Sequence, residues 1–492
     1  MKTERIIPFA LLISAALVSC QKENINSPTE PENLIQKTIT IADTPWTGDA
    51  ETKSFYEEGV GVHLNKLENM SVGYWKYVEG KTAPETEACP LLGGNNGKYL
   101  LRATAIKAGS WTFSHPEIDG TEKYNYFFVI PHTSKNEING KNLAHCFRLS
   151  SVQSPEILNK FKGCESSQLS FDPSMDCHIG QAQYNVGIAT EISDIHFKRL
   201  FTPLKLAIND SQNFLDGAPI YAVTLKSSAE ATQKRTLTGI AWIRHSDNYD
   251  IANINSMDKN NLGNGVSTIY KTPIAKSGES YTTWFIVNPA ELPAGELTIS
   301  VTTATKTITR TVNSQILNIK ADTINELKFD ISKDNYTIES TDYYNFNGEI
   351  TGFKNYAGSF NGAKPWTQNQ MKIKEDDSYY NNAIGNGSIG SGKLHYNSQK
   401  TGKAISKVRF YGHPCIATKA NTIKVVVKDK EDETVIPSSS FNYSAIAKNG
   451  GYVEFDIPEA YANSDLTFLC ELDYSMISAI LLFHKQSSTS SN

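Results

Sequence analysis

Leu297–Thr302, with the sequence LTISVT, places apolar and hydroxyl-bearing side chains at alternate positions. A period of two is typical of a β-strand that buries one face and exposes the other. Residues 221–225, YAVTL, and residues 283–287, TWFIV, also have strand character, and PAG at 293–295 predicts a turn before LTISVT. The long periodicity of amphipathic helices is absent from the chain. The sequence therefore predicts an all-β protein.

The chain of 492 residues exceeds what a single hydrophobic core usually supports, so we expect several domains. Short strand patterns recur between turn signals, which favours β-sandwiches. The predicted segments are a signal peptide at 1–20, a flexible tether at 21–36, a first β-sandwich at 37–206, a second β-sandwich at 207–332 and a jelly-roll-like β-sandwich at 342–487. Residues 335–341 have the character of a short connector.

The N-terminus has the pattern of an export signal. Lys2 and Arg5 precede an apolar run at 6–18, which is shorter than the roughly 20 residues that span a bilayer as a helix. The run ends in LVSC at 17–20, which resembles a bacterial lipobox. The resemblance implies cleavage before Cys20 and acylation of that cysteine, with palmitate among the acyl chains. The alternative is an ordinary signal peptide that ends in a chance cysteine.

The residues that follow the anchor position predict where the protein resides. QKEN at 21–24 resembles the lysine-then-acid signal that sends Bacteroidetes lipoproteins to the outer face of the outer membrane, although only one acid follows the lysine here. Residues up to Asn33 are rich in Asn, Pro and Glu, which indicates a flexible tether. We therefore expect a surface-exposed lipoprotein of the outer membrane.

Charge and motifs argue against several classes of function. The net charge of -5 provides no basic face for nucleic acid. The sequence lacks HExxH, GxSxG and any pair of histidines at metal-ligand spacing. GNGSIG at 385–390 matches GxGxxG, but no strand pattern precedes it and no helix pattern follows it. We predict that the chain is not an enzyme and holds neither a cofactor nor a metal.

The cysteines allow two interpretations. Six of them follow Cys20, and an even number in an oxidising compartment permits disulfides. Grouped by region, Cys164 would pair with Cys177, and Cys415 with Cys470. The alternative is that they are buried free thiols. Cys89 and Cys146 are the remaining two.

Dispersed segments of the first two regions resemble the fimbrillin family, the Bacteroidetes pilins that form major and minor fimbriae. In the first region these segments are YFFVIP at 126–131, SFDPSMD at 170–176 and DIHFKRLFTPLKL at 194–206. In the second region they are TLKSS at 224–228, FIVNP at 285–289 and GELTISV at 295–301. The resemblance extends over residues 38–332. It implies two tandem transthyretin-like β-sandwiches.

The resemblance also implies assembly with other pilus subunits by β-strand addition. In the family a protease removes the first strand, and a neighbouring subunit donates a strand to the opened groove. Residues 38–41 would be the removable strand, and Lys53 would be the site of proteolytic processing. An arginine-specific protease would not act here, because no arginine lies between Cys20 and Arg102. The alternative is that Lys53 is simply a solvated loop residue.

The third region contains aromatic residues that suit saccharide binding. Flat rings pack against the C–H faces of sugars, and neighbouring polar side chains bind the hydroxyls. Trp366 is flanked by lysine, glutamine and asparagine, whereas Tyr379 and Tyr380 are flanked by aspartate and asparagine. Together with Tyr396, these residues are the predicted ligand-binding set. The alternative is that most of these rings belong to the core.

Two functions from different classes follow. The first is a fimbrial subunit, at the tip or accessory, that carries an adhesive third domain and accepts a strand from its neighbour. The second is a surface glycan-binding lipoprotein of a polysaccharide-uptake system. The two differ in whether the first strand is removed and whether the chain enters a fibre.

Overall fold

The protein is described here from a computed structural model. The residues that the structure describes are 34–40, 55–57, 61–63, 70–76, 101–107, 110–116, 123–130, 144–155, 171–172, 175–185, 191–192, 195–232, 234–244, 262–312, 317–321, 323–331, 336–347, 359–360, 366–369, 392–396, 403–414, 421–427, 433–472 and 475–485. Strands dominate these ranges, which confirms the predicted all-β sandwich class.

The strands fall into three consecutive groups. The first group comprises β1 Leu34–Thr40, β2 Phe55–Glu57, β3 Gly61–His63, β4 Met70–Lys76, β5 Leu101–Lys107, β6 Ser110–Pro116, β7 Lys123–Ile130, β8 Ala144–Leu149, β9 Val152–Gln153, β10 His178–Asn185, β11 Glu191–Ile192 and β12 His196–Arg199. The second group comprises β13 Thr202–Asn209, β14 Ile220–Ser227, β15 Gly239–Arg244, β16 Gly265–Ile274, β17 Ser280–Val287, β18 Ala290–Leu292, β19 Leu297–Thr302, β20 Lys306–Val312, β21 Leu317–Ile319 and β22 Asn325–Asp330.

The third group includes the only helices among the described residues. It comprises β23 Tyr336–Asn347, β24 Ser359–Phe360, β25 Trp366–Asn369, β26 Gly392–Tyr396, β27 Ile405–Pro414, β28 Thr422–Val427, β29 Thr434–Ser440, helix α1 Tyr443–Lys448, β30 Tyr452–Asp456, a 3-10 helix Glu459–Tyr461, β31 Leu466–Glu471 and β32 Ser475–His484. The Asn442 side chain caps α1 by accepting a hydrogen bond from the amide of Ala445 at 3.0 Å.

One sheet of eight strands organises the first region, in the order β11-β1-β6-β5-β4-β7-β10-β12. Its strand β7 has the continuous apolar sequence YFFVI at 126–130, as expected for a strand that is buried on both faces. Tyr126, Phe128 and Ile130 pack in the core of the first region. Phe127 and Val129 pack on the opposite side, in a core that also contains Trp284 and Ile286 of β17. Because β7 contributes to both cores, the first two regions are packed against each other.

A second link between these regions comes from residues 144–155. Strand β8 pairs with β15, and β9 pairs with β16, so two strands of the predicted first domain are bonded to strands of the second. The buried Gln153 side chain donates to the carbonyl oxygen of Ile286 at 2.7 Å and accepts from its amide at 2.9 Å. Strand β13 also crosses the predicted boundary at residue 206, because it pairs with β17 over its whole length and with β22 from Leu204 onward.

The second sandwich encloses the core between the three-stranded sheet β17-β13-β22 and a larger sheet. In β19 the alternation predicted from LTISVT is confirmed, because Leu297, Ile299 and Val301 all lie in this core. The remaining hydroxyl side chains of β19 pair with threonines of β20 on the opposite face, with Ser300 and Thr309 oxygens 2.8 Å apart.

The larger sheet continues into the third sandwich without interruption, in the order β30-β27-β32-β23-β20-β19-β14-β16-β9. Strand β23 makes the connection: residues 336–340 pair with β20, and residues 341–345 pair with β32. The predicted connector at 335–341 is therefore mostly a strand, whose alternating sequence YTIEST pairs on both sides of the junction. The third core lies between this sheet and the five strands β25-β26-β31-β28-β29.

Four glycines allow close contact where α1 meets the second sandwich. A β-carbon on Gly265 would overlap the carbonyl oxygen of Leu225 and lie 2.9 Å from the α-carbon of Gly450. Gly450 and Gly451 have φ angles of 80° and 101°, which side chains rarely adopt. Gly263 is the fourth glycine, and a β-carbon there would lie 3.1 Å from that of Ala447. Next to it, the amide of Asn264 donates to the carbonyl oxygen of Ala447 at 3.2 Å.

We expect Gly265→Val to destabilise this junction. The added atoms have no space between the second and third sandwiches, and overpacking of this kind costs about 2 kcal/mol. The measurement is the free energy of unfolding in urea. Gly278→Asn is the matched control, because Gly278 has a φ of 60° with open space around it and asparagine tolerates that conformation. Equal stability of both variants would show that the sandwiches are not in close contact.

Candidate functional site

The first strand is the first feature of functional interest. Strand β1 lies between β6 and β11. It pairs antiparallel with β6 at all seven residues, from Leu34 opposite Pro116 to Thr40 opposite Ser110. With β11 it makes only two parallel pairs. The strand begins earlier than the predicted 38–41, and Ile41 lies outside the described residues. Loss of β1 would therefore leave the whole length of β6 without a neighbour on one side.

The strand next to β1 carries large buried rings. On β6, Trp111 and Phe113 are 0% and 2% exposed and lie in the core of the first region. The register places Ile39 directly opposite Trp111 and beside the buried Ile192 of β11. An opened edge at β6 would thus combine unpaired backbone groups with an aromatic core, which is the combination that β-strand addition satisfies.

The last strand has a different environment. Strand β32 lies between β23 and β27 and pairs with both. Its residues 479–483, AILLF, are all at most 1% exposed, because they contribute to cores on both faces of the sheet. Release of β32 would disrupt two ladders and two cores at once. Of the first and last strands of the described chain, β32 is therefore held by more contacts than β1.

A cluster of cations and aromatic rings lies where the second and third sandwiches meet. The Arg409 guanidinium is 4.0 Å from the ring centre of Tyr452 and 5.0 Å from that of Phe483. It is bound to Glu454 at 2.7 Å and donates to the Tyr411 hydroxyl oxygen at 3.2 Å. An arginine can be buried in this way because stacking on aromatic rings and two contacts from its guanidinium to one carboxylate oxygen replace its hydration.

Lys407 connects the same cluster to the second sandwich. Its ammonium lies 3.9 Å from the ring centre of Phe483, 3.6 Å from Glu454 and 3.3 Å from Glu339. Glu339 belongs to the half of β23 that pairs with β20, so this ion pair crosses the junction. Lys226 reaches the cluster from β14, with its ammonium 6.0 Å from the ring centre of Tyr452.

Burial and neighbouring charges shift the ionisation of these groups. Burial works to lower the pKa of Arg409, but Tyr452, Tyr411 and Glu454 raise it well above its usual range. Burial raises the pKa of Tyr452 to about 12. Burial lowers the pKa of Lys226, with Glu454 opposing and Arg409 adding to the effect. The arginine is therefore permanently charged, and Lys226 loses its proton more readily than an exposed lysine does.

The predicted site residues are distributed as follows. Cys20, Lys53, Tyr379 and Tyr380 lie outside the described residues. For Trp366 the structure describes the backbone, in strand β25 directly opposite Tyr396.

The ring of Tyr396 is 0% exposed in the core of the third sandwich, beside Phe468 and Ile480. This residue presents no face to a ligand, because its alternating strand turns it inward. Tyr396 is therefore a core residue, which is the alternative that the sequence left open. Ligand binding by Trp366, Tyr379 and Tyr380 stays a prediction.

The disulfide interpretation is resolved for one pair. Cys470 is a free thiol, and burial raises its pKa to about 12, so the predicted pairing with Cys415 is not formed. Cys177 is buried in the core shared by the first two regions. Within the described part of the chain no group of three or more metal-ligand side chains comes together. Within the same ranges, no helix has the length and apolar character needed to span a membrane.

Sequence reasoning missed the charged cluster. The strand pattern of KVRFY at 407–411 indicates that Lys407, Arg409 and Tyr411 share one face. Two cations beside a tyrosine on one strand face could have indicated a cluster of cations and aromatic rings. Their partners Glu339 and Glu454 are 68 and 45 residues away, respectively. Only the pairing of distant strands brings them together.

Comparisons with known proteins give distant similarities. No protein-family model matches the chain, and no curated protein matches it in sequence. Among solved structures, a candidate cell adhesion protein of Bacteroides ovatus has a TM-score of 0.37 at 14% identity, over 63% of this chain and 95% of that one.

Two further structures are similar to the chain at lower TM-scores. The fimbrial anchor protein Mfa2 of Porphyromonas gingivalis has a TM-score of 0.24 at 10% identity, over 61% and 90% of the two chains. A candidate polysaccharide binding protein of Bacteroides thetaiotaomicron has a TM-score of 0.26 at 7% identity, over 60% and 90%. At these values the likeness assigns no function to this chain.

We expect Glu454→Ala to destabilise the third sandwich by about 3 kcal/mol, because it leaves the buried Arg409 without its carboxylate. The measurement is the urea midpoint of unfolding. Glu459→Ala is the control, since that exposed carboxylate pairs only with Lys485 at the surface and its loss should leave the midpoint unchanged. An unchanged midpoint for Glu454→Ala would mean that the arginine is solvated in the folded protein.

Proposed function

We propose that the chain is a surface-anchored subunit of a pilus that accepts a strand in place of β1 and donates none, which places it at the distal end of the fibre. The observation that carries this proposal is the contrast between the two ends of the described chain. Strand β1 has one complete ladder, whereas β32 is a central strand with two. The third sandwich would then be the adhesive part.

The position of Lys53 supports removal of β1. Strand β1 ends at Thr40 and β2 begins at Phe55, so a cut after Lys53 would separate β1 from every later strand. Only noncovalent pairing with β6 and β11 would then retain it. An incoming strand that makes the same backbone bonds and fills the edge beside Trp111 would replace it at little net cost.

The continuous sheet supports the absence of donation. A subunit that donates from its C-terminal end needs a final strand that is free to leave its own fold. Here the residues after the second sandwich enter β23, which pairs with β20 and β32 along its length. The described chain beyond β22 thus belongs to the third sandwich. Its strand β23 pairs with the edge of β20, so that edge already has a neighbour from the same chain.

Lipid attachment at Cys20 and residence on the outer membrane belong to the same proposal. The lipobox-like sequence and the polar segment that follows would hold the new chain at the surface until β1 is removed. Cleavage after Lys53 would then release the body of the protein from its anchor. Incorporation into a fibre and release from the membrane would therefore occur together.

The experiment follows the maturation of Lys53→Ala in cells that assemble the fibre. We expect the variant to remain in the membrane fraction as the full-length lipoprotein, because β1 stays attached to the body. The matched control is Lys81→Ala, a lysine beyond the predicted cut, which should mature normally. Normal assembly of Lys53→Ala would reject this cleavage site.

A second measurement tests the distal position. Antibodies against the third sandwich, with a gold label, should mark one end of each fibre in electron micrographs. A label that repeats along the fibre would contradict the proposal, because it would require each copy to donate a strand as well as accept one. A label found only on membranes would instead favour a monomeric surface protein.

A further inference from the structure

Lys226 and Asn449 lie 223 positions apart in sequence and meet at the junction of the second and third sandwiches. Lys226 is on β14, and Asn449 follows helix α1 directly. The lysine ammonium lies 3.3 Å from the side-chain oxygen of Asn449, so the amide carbon, one bond beyond that oxygen, is close to the nitrogen. No ion pair within 4.0 Å joins Lys226 to a carboxylate in the described part of the chain.

The asparagine side chain is held in one orientation. Its amide nitrogen donates to the carbonyl oxygen of Ala445 at 3.2 Å, which turns the side-chain oxygen and the amide carbon toward Lys226. Its backbone amide donates to the carbonyl oxygen of Ile446 at 3.1 Å. The next residue, Gly450, accepts a hydrogen bond from the Ser267 hydroxyl of the second sandwich and lies against Gly265. The asparagine is thus positioned by contacts that do not depend on Lys226.

The surroundings make the Lys226 ammonium easier to deprotonate than that of an exposed lysine. Lys226 is half-buried beside the ring of Tyr452, and burial lowers its pKa, as desolvation does for lysine nucleophiles in general. Arg409 lowers it further, whereas Glu454 raises it. Glu454 is therefore the carboxylate that interacts with the ammonium. Its carboxylate oxygen lies 2.7 Å from the Arg409 guanidinium.

We propose that Lys226 and Asn449 form an intramolecular amide bond that covalently joins the second and third sandwiches. The lysine nitrogen attacks the side-chain carbonyl carbon of Asn449, and a new C–N bond forms. The bond between that carbon and the original amide nitrogen breaks. The proton lost by the attacking nitrogen is balanced by the one gained by the departing nitrogen, which leaves as ammonia. No atom is oxidised or reduced, so the reaction needs no further reagent.

The test is peptide mapping of the folded full-length protein after trypsin digestion. Trypsin does not cleave after an acylated lysine, so the bond should yield residues 206–234 joined to residues 449–485, with a mass equal to the two peptides less one ammonia. Lys276, a partly buried lysine that donates to the carbonyl oxygen of Asp210, is the internal control and should be cleaved normally. This readout uses the unaltered chain and needs no variant to fold.

Variants then assign the roles. Lys226→Arg keeps a cation that cannot be acylated here, and Asn449→Ala removes the carbonyl, so each should give the two peptides separately. Asn449→Asp should still crosslink, with loss of water instead of ammonia. Recovery of residues 206–226 as a separate peptide in full yield from the folded unaltered protein would overturn the proposal.

Discussion

Backbone pairing along β23 is the constraint on which the rest of the structure depends. This strand bonds to β20 with its first half and to β32 with its second, so the second and third sandwiches share one sheet. A shared sheet cannot hinge freely at its common strand, because rotation there would break both ladders. A further buried core spans the shared sheet and includes Ala222 of β14 and Leu481 of β32. The third sandwich is therefore a rigid extension of the second.

This rigidity gives the two ends of the molecule different capacities. At the start of the chain, one strand rests on a single long ladder beside a buried tryptophan. At the other end, β32, the last strand of the described residues, is enclosed on both sides. An assembly built by strand addition needs an acceptor edge and a free strand in each internal subunit. Under the proposed function, the described strands therefore suit a subunit that ends a fibre and does not extend it. A covalent link at Lys226 would protect the same junction when the distal end is pulled.

Much of the fold could be predicted from local pattern. The alternation in LTISVT and the continuous apolar run in β7 both indicate how the strands are buried, because burial depends on side chains within a few residues. The connector at 335–341 could not be recognised as a strand, since its partners are β20 and β32 and neither is adjacent in sequence. Tyr396 illustrates the same limit: a ring beside polar residues suits either a ligand or a core, and only the sheet partners decide. The pairs Arg409–Glu454 and Lys226–Asn449 likewise depend on distant strands.

Backbone hydrogen exchange after cleavage on the C-terminal side of Lys53 tests the unequal attachment of β1 and β32 most directly. Removal of β1 should expose those amides of β6, within residues 110–115, that face β1, so their exchange should accelerate by orders of magnitude and slow again when a strand-forming peptide is added. The amides of β32 should keep their protection throughout. Unchanged protection of β6 after cleavage and washing, or a loss of protection in β32 equal to that in β6, would contradict the unequal attachment of the first and last strands.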